Sequence, residues 1–224
     1  MQTQDAPAEI IFKLWPWLEA NKQRLIVVAV AVAAAVGIYY FIAEQHAQKE
    51  VEAGQALTQL LVNPPANAGA VPMANAFVQL AAKYAGTAAA DRASLQAATT
   101  LYAAGSYDQA QAQYEKLAAG RSTGALAAIA NLGLAASLEA QGKLDNAAQI
   151  YRKVMTDFAE SSVAIPAKFS LARVLAAQGK LNDALNYYSD VARSPQAGSL
   201  GSEAAMHASE IKVKVGAPAQ PALK

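Results

Sequence analysis

The sequence predicts an all-α protein in which a single N-terminal transmembrane helix is followed by a solenoid of stacked helix pairs. Three observations predict this class. Alanine, the residue with the highest helix propensity, supplies 56 of the 224 residues, whereas strand-forming residues are sparse. Residues 25–43 form an apolar stretch without a charge. Further along the chain, a helical pattern with a step of 37 residues occurs three times.

The charge balance and the rare residue types exclude several classes of function. Eighteen basic residues against seventeen acidic residues leave no electrostatic excess, which argues against nucleic acid as a partner. The absence of cysteine excludes disulfides, zinc–cysteine sites and a thiol nucleophile. His46 and His207 are far apart, and no serine–histidine–acid trio or carboxylate pair has a spacing that suggests cooperation. We therefore expect no enzyme activity, no metal and no cofactor.

Residues 25–43, LIVVAVAVAAAVGIYYFIA, are predicted to cross a membrane. A helix of this length rises roughly 28 Å, which is close to the hydrocarbon thickness of a bilayer. Two other interpretations remain open. The small residues at 33–35 are typical of a signal-peptide cleavage site, although the apolar run is longer than the usual ~7–15 residues. The segment would also suit a buried helix of a soluble protein, although nothing else in the chain is apolar enough to cover it.

The positive charges around this segment predict its orientation. Lys13, Lys22 and Arg24 precede it, whereas only Lys49 follows within about twenty residues, so the N-terminus is expected in the cytoplasm. The helical spacing of the leader, with Pro16 as an interruption, predicts a helix along the membrane surface, and a poorly ordered leader is the alternative. The predicted organisation is a cytoplasmic leader with an interfacial helix at 1–24, a transmembrane helix at 25–43, a repeat domain at 44–216 outside the cytoplasm and a flexible tail at 217–224.

A pattern of small and aromatic residues occurs three times in register. The copies read LQAATTLYAAGSYDQAQAQYEKL at 95–117, LGLAASLEAQGKLDNAAQIYRKV at 132–154 and FSLARVLAAQGKLNDALNYYSDV at 169–191. The positions that recur are Gly105, Gly142 and Gly179, then Ala110, Ala147 and Ala184, then Tyr114, Tyr151 and Tyr188. Each copy is predicted to form two antiparallel helices. Because one pair cannot bury its apolar face alone, successive pairs are expected to stack.

Each recurring residue type has a predicted structural role. The glycine ends the first helix, because glycine readily adopts the left-handed conformation found there. Three residues later Asp108, Asp145 and Asn182 are predicted to accept hydrogen bonds from the free amides that open the second helix. The alanines let the two helices approach closely, and the tyrosines fill the space against the neighbouring pair.

The repeat extends more weakly beyond both ends of the three copies. Residues 72–86 are predicted to be the second helix of a degenerate first unit. The first helix of that unit is expected to run from 44 to 61 and to end at Pro64 and Pro65. At the other end, residues 202–215 are predicted to form one capping helix.

The inner side of such a stack is the predicted binding surface, because the first helices line it and a partner segment usually lies there. By repeat position it carries Arg92, Leu95, Thr99 and Tyr102, then Ile129, Leu132, Ala136 and Glu139, then Phe169, Arg173 and Ala176. A second interpretation is open for Leu95, Leu132 and Phe169, which would then only pack between helices. The residues predicted to form a partner-binding groove for an amphipathic or extended peptide are therefore Arg92, Thr99, Tyr102, Glu139 and Arg173.

The pattern A-x-x-L-x-x-x-G-x-[LY]-[DN]-x-A-x-x-x-Y resembles the tetratricopeptide repeat, strongly over 92–193 and weakly over 72–91. The usual unit has about 34 residues, so the longer step predicts about three extra residues in each turn between repeats. The resemblance implies a stack of helix pairs that binds other proteins. Some relatives clamp a C-terminal carboxylate with basic residues and asparagines. Gln96, Gly133 and Ser170 occupy one of those asparagine positions here, so recognition of a chain terminus is not expected.

A second resemblance concerns the layout of the whole chain. A short leader containing WLEANKQRL, one N-terminal span and a repeat region beyond it are similar to the bacterial family of ancillary subunits of the Sec translocon. This resemblance implies a non-catalytic subunit of the protein-export channel in the bacterial inner membrane, with the repeat domain at 44–216 in the periplasm. Its implied partners are Sec channel subunits, periplasmic chaperones or emerging chains. Residues 157–179 also resemble repeats of the periplasmic coordinator of cell division. The alternative is therefore a scaffold for an envelope or cell-division complex, and a homo-oligomer stays open.

Overall fold

The computed structural model describes residues 6–65, 69–120 and 124–216, and the side chains from residue 16 onward. Within these ranges the protein is entirely helical, as predicted. The helices are α1 (Ala6–Val62), α2 (Ala70–Lys83), α3 (Ala88–Ala103), α4 (Tyr107–Gly120), α5 (Ala125–Ala140), α6 (Leu144–Asp157), α7 (Ala164–Ala177), α8 (Leu181–Arg193) and α9 (Ser199–Gly216). The described residues form two compact units, one up to Glu52 and one from Ala53 onward. The predicted tail at 217–224 lies outside the described residues.

The first unit is the N-terminal part of α1. The predicted interruption at Pro16 is wrong, because the helix continues through this residue. Proline removes one backbone hydrogen bond, at a cost of about 3 kcal/mol, whereas the other backbone groups of a long helix remain paired. Among the described helices, α1 is the one long and apolar enough to cross a membrane. None of the side chains in its most apolar window is buried.

The second unit consists of helix pairs in sequence order. Each helix from α3 to α9 packs against the helix that precedes it in the chain. The first helices of successive pairs contact each other as well, α3 with α5, α5 with α7 and α7 with α9. Comparable contacts between the second helices are absent from the described part of the chain. The first helices therefore lie on the inner side of the stack, as predicted.

The turn inside each pair has the same hydrogen bonding three times. Gly142 has a φ of 76°, its N–H donates to Glu139 O, and the N–H of Lys143 donates to Leu138 O. Gly105 and Gly179, each one repeat step of 37 residues from Gly142, have the same φ, and their turns have the two equivalent hydrogen bonds. These are the two bonds of the Schellman motif, which ends a helix on a left-handed glycine. The predicted role of the glycines is confirmed.

The predicted side-chain caps at the second helices are wrong. The residue before α6 is Lys143 and the residue before α8 is Lys180, and neither position has a side-chain cap. Asp145 lies inside the first turn of α6, where a carboxylate is stabilised by the positive end of the helix dipole. Asp108 and Asn182 likewise lie inside the first turns of α4 and α8. The Schellman turn places the residue after glycine at the N-cap of the next helix, so the predicted capping residue arrives two positions too late to cap it.

Glutamine side chains join neighbouring pairs at these turns. Gln141 Nε2 donates to Gln111 Oε1 over 2.9 Å and to Tyr107 O over 3.2 Å, both in α4 of the preceding pair. Gln178, one step later, donates to Asp145 Oδ1 in α6 over 2.9 Å. The turns between pairs have four to six residues, against three inside each of the three clear pairs. The lengthening of these turns relative to the usual repeat stays a prediction.

The degenerate first unit is formed by the end of α1 and by α2. Ala53 and Leu57 of α1 are buried in the same apolar cluster as Phe77 of α2. The helices end at Val62 and Lys83, close to the predicted ends. This pair places α2 against α3, so the stack begins before the first clear repeat.

Helix α9 has the register of a first helix. Its buried residues Ala204, Ala208 and Ile211 stand one step of 37 residues beyond Ala167, Leu171 and Val174 of α7, which are also buried. At the positions that pack on a second helix, α7 has the buried Ala172 and Leu175, whereas α9 has the exposed Ser209 and Lys212. The predicted capping helix is therefore the first half of a fifth pair with a polar outer side.

Candidate protein-binding groove

We define the groove face as the side of the first helices that carries the predicted binding positions. Its row on α3 is Arg92, Leu95, Thr99 and Tyr102; its row on α5 is Ile129, Leu132, Ala136 and Glu139; its row on α7 is Pro166, Phe169, Arg173 and Ala176. The register of α9 adds a fourth row, which is Glu203, Met206, Glu210 and Val213. This fourth row was missed from the sequence, where the helix was interpreted only as a cap.

Most of the large apolar side chains exposed in α2–α9 lie on this face. They are Tyr102, Ile129, Met206, Val213 and Val215. Four of these five are members of the groove rows, whereas Leu61 and Val62, which are also exposed, lie at the end of α1. Scattered exposed apolar residues are ordinary, whereas a concentration on one side indicates a contact surface. The groove face therefore has the composition of a protein-binding surface.

A polar network lies at the centre of the groove face. Arg173 in α7 donates from Nε to Glu139 Oε1 over 2.7 Å and from Nη2 to Glu139 Oε2 over 3.0 Å. Tyr151, which is fully buried, donates its hydroxyl to Glu139 Oε2 over 2.8 Å. The Glu139 side chain is 17% exposed and the Arg173 side chain 51% exposed. The pair thus joins adjacent repeats and leaves part of the guanidinium accessible.

The electrostatics of this network follow from burial and from the ion pair. Burial raises the pKa of Tyr151, and the neighbouring Glu139 carboxylate raises it further. The hydrogen bonds to Glu139 raise the pKa of Arg173 above its ordinary value. Burial also raises the pKa of Tyr114 to about 12, with a smaller contribution from Tyr102. Neutral tyrosines and a charged Arg173 are therefore the stable forms at neutral pH.

The recurring tyrosine of each pair packs on one position of the next first helix. Tyr114 packs against Gly133 in α5, and Tyr188 packs against His207 in α9 with ring centroids 5.1 Å apart. Tyr151 interacts with Ser170 at the equivalent position of α7. The predicted packing of the tyrosines is confirmed, since all three are buried. The three alanines of the pattern, Ala110, Ala147 and Ala184, are fully buried as predicted.

The predicted groove residues are not all placed alike. Glu139 and Arg173 come together as an ion pair, and Tyr102 lies near both. Arg92 and Thr99 are exposed on α3, where the Thr99 hydroxyl donates to backbone carbonyls of its own helix. Phe169 is buried, which fits the interpretation that it packs between helices. Leu95 and Leu132 are partly buried against the core.

The acidic and histidine side chains of the described residues lie in small groups. No three histidine, cysteine, aspartate or glutamate side chains in the described ranges are grouped so that they would hold a metal ion. His207 lies between Glu203 and Glu210, at 3.9 Å and 3.3 Å, and its ring packs on aromatic residues. His207 thus lies beside the two glutamates of the α9 row and in contact with the rings of Phe169 and Tyr188.

Stacked helix pairs with an apolar inner face define a helical-repeat protein of the protein-binding class. Residues 13–159, about two thirds of the chain, match the tetratricopeptide repeat-like domain family. The chain therefore belongs to that family. No curated protein matches it.

Two solved structures of TPR-like repeats share the fold. They are the nearly identical repeats of a kinesin light chain protein from Podosopora anserina and a form of the same repeats with one residue substituted. Each is 15% identical to this chain with a TM-score of 0.50. The matches cover 77% and 78% of this chain, and 96% of the substituted chain and 98% of the other. At this identity the likeness concerns the fold alone.

Proposed function

We propose that this chain is a non-catalytic, membrane-anchored protein that binds other proteins through its groove face. The observation that carries this proposal is the concentration of exposed apolar side chains in the groove rows, at Tyr102, Ile129, Met206 and Val213. Burial of such side chains against a partner contributes about 25 cal/mol per Å² of apolar area. The family of stacked helix pairs is typically a binding scaffold, which supports the same function.

The anchor in this proposal is residues 25–43 of α1. The segment has no charge, and the structure leaves its apolar side chains uncovered. A cleaved signal peptide and a buried helix are the competing interpretations. The excess of Lys and Arg before the segment supports a cytoplasmic N-terminus, with the repeats on the periplasmic side of a bacterial inner membrane.

The host complex in this proposal is the protein-export channel. The layout of a short leader, one span and a following repeat region supports an ancillary Sec subunit that links the channel to periplasmic chaperones or emerging chains. A scaffold for an envelope or division complex is the alternative, because of the resemblance over 157–179.

Affinity purification of the full chain in mild detergent tests the host complex. Recovery of Sec channel subunits supports the export function, whereas recovery of division or wall-synthesis proteins alone overturns it. Arg92→Glu with Arg173→Glu tests the groove, because both residues are exposed on it. Arg152→Glu is the matched control, since Arg152 is exposed on the second helix α6. Equal partner recovery by the double variant and the control would show that the groove is not the binding surface.

Reporter fusions test the topology. A reporter that is active only in the periplasm should be active when it is fused after Lys224. The same reporter fused before Met1 is the control and should be inactive. Activity at the N-terminus would reverse the proposed orientation, and a shortened mature chain would favour a cleaved signal peptide.

A further inference from the structure

The charges of the groove face differ between its two ends. Arg92 is exposed in the α3 row. In the middle rows Glu139 and Arg173 neutralise each other as an ion pair. In the α9 row the side chains of Glu203 and Glu210 are about half exposed. The face is therefore basic at α3, neutral in the middle and acidic at α9.

The apolar side chains of the α9 row are well exposed. Met206 is 53% exposed and Val213 is 73% exposed. Of the other ionisable groups in α9, His207 has its ring against Phe169 and Tyr188. Lys212 stands on the outer side described above, and Lys214 lies in the last turn beyond Val213. A segment bound in the groove would therefore meet the carboxylates of Glu203 and Glu210 at this end.

We propose that the groove face binds an extended segment of another protein in one fixed direction. The segment has an acidic side chain at α3, large apolar side chains in the middle and a basic side chain at α9. This inference rests on the proposed function and adds the chemistry of the partner. The apolar contacts supply affinity, whereas the charges set the direction, because a reversed segment would bring like charges together at both ends.

The length of the segment follows from helix packing. Packed helices lie about 8–10 Å apart, so the three steps from α3 to α9 span roughly 30 Å. An extended chain rises about 3.3 Å per residue, so about nine residues cover this distance. One large apolar side chain of the segment then contacts Tyr102 or Ile129, and the next one contacts Met206.

Photo-crosslinking with a synthetic peptide tests the direction. The probe is an extended peptide of about ten residues. It has glutamate at one end, lysine at the other, leucines between them and a photo-reactive residue beside the lysine. It is bound to the full chain in detergent micelles. We expect crosslinks on α9 around Met206. Crosslinks on α3, or no binding of the probe, would overturn the inference.

Substitutions test the charges at the α9 end. Glu203→Gln with Glu210→Gln should weaken probe binding about threefold in fluorescence anisotropy, as expected for exposed ion pairs. Glu160→Gln, at an exposed glutamate in the turn after α6, is the control and should leave binding unchanged. Equal binding of a probe with glutamate at both ends would also contradict the inference.

The two proposals fail in different ways. If Arg92→Glu with Arg173→Glu reduces partner recovery while the variant stays folded by circular dichroism, and the probe crosslinks to α3, the groove is correct and only the direction is wrong. If partner recovery is also unchanged, the proposed function fails together with the inference.

Discussion

The ring of Tyr114 packs directly on the backbone of Gly133, so a β-carbon at residue 133 would overlap the ring. Tyr114 belongs to α4 and Gly133 to α5, so this contact helps to join the first two clear repeats. Tyr114 is 4% exposed and has little room to move. The absence of a side chain at residue 133 therefore sets the distance between these repeats.

We expect Gly133→Ala to destabilise the repeat unit. Overpacking a core costs about 1–3 kcal/mol. The higher helix propensity of alanine offsets up to about 1 kcal/mol of this loss of stability. The net loss of up to about 2 kcal/mol should lower Tm by up to several degrees, as measured by circular dichroism of the full chain in detergent. Gly54→Ala is the matched control, because Gly54 is also helical and a β-carbon there meets nothing within 4 Å. A Tm of the Gly133 variant at or above that of the control would contradict the packing argument.

We expect Glu139→Ala to cost about 1–3 kcal/mol, because it leaves the buried Tyr151 hydroxyl and the Arg173 guanidinium without their acceptor. Glu139→Gln should cost less, since its amide oxygen still accepts a bond from Tyr151. A double-mutant cycle of Glu139→Gln and Arg173→Gln, followed by denaturant unfolding, measures the coupling between the two residues. A coupling energy indistinguishable from zero would show that the ion pair contributes nothing to joining the repeats.

Stability should fall when the pH rises above about 10, the ordinary pKa of tyrosine. Burial raises the pKa of Tyr114 to about 12, and it also raises the pKa of Tyr151 and Tyr188. Above pH 10 the unfolded chain loses these protons first, so it binds fewer protons than the folded chain and unfolding becomes easier. Thermal unfolding at a series of pH values measures the slope. Tyr188→Phe should make this slope shallower, and an unchanged slope would contradict the assignment to buried tyrosines.

We expect Ile129→Ser to reduce partner recovery without lowering Tm by more than a degree or two, because Ile129 is 39% exposed on the groove face. Surface substitutions of this kind usually change stability by about 0.5 kcal/mol or less. Val215→Ser is the matched control, since Val215 is exposed to a similar degree, 46%, outside the groove rows. A stronger loss of recovery with the control would place the binding surface elsewhere.

The repeat step accounts for most of the fold that could be predicted from the sequence. It located the turn glycines, the buried tyrosines and the helix pairs, because stacking repeats the same local geometry at each step. What each tyrosine touches was not predictable in this way. Gly133, Ser170 and His207 share one repeat position, yet they meet the tyrosine ring differently.

The candidate site was predicted in its residues but not in its contacts. Glu139 and Arg173 were both assigned to the groove, but they lie on different repeats. Their pairing depends on the rotation between α5 and α7, which the sequence pattern does not specify. The α9 row was missed because Ser209 and Lys212 replace the small and apolar residues by which the repeat is recognised.

Those two polar side chains also determine the polarity of the outer side of α9. If Ser209 and Lys212 were alanine and leucine, as at Ala172 and Leu175, α9 would present an adhesive edge for the second helix of another molecule. Stacking of this kind would then be favoured at higher concentration. The hydroxyl of Ser209 and the ammonium group of Lys212 instead make this side of α9 polar.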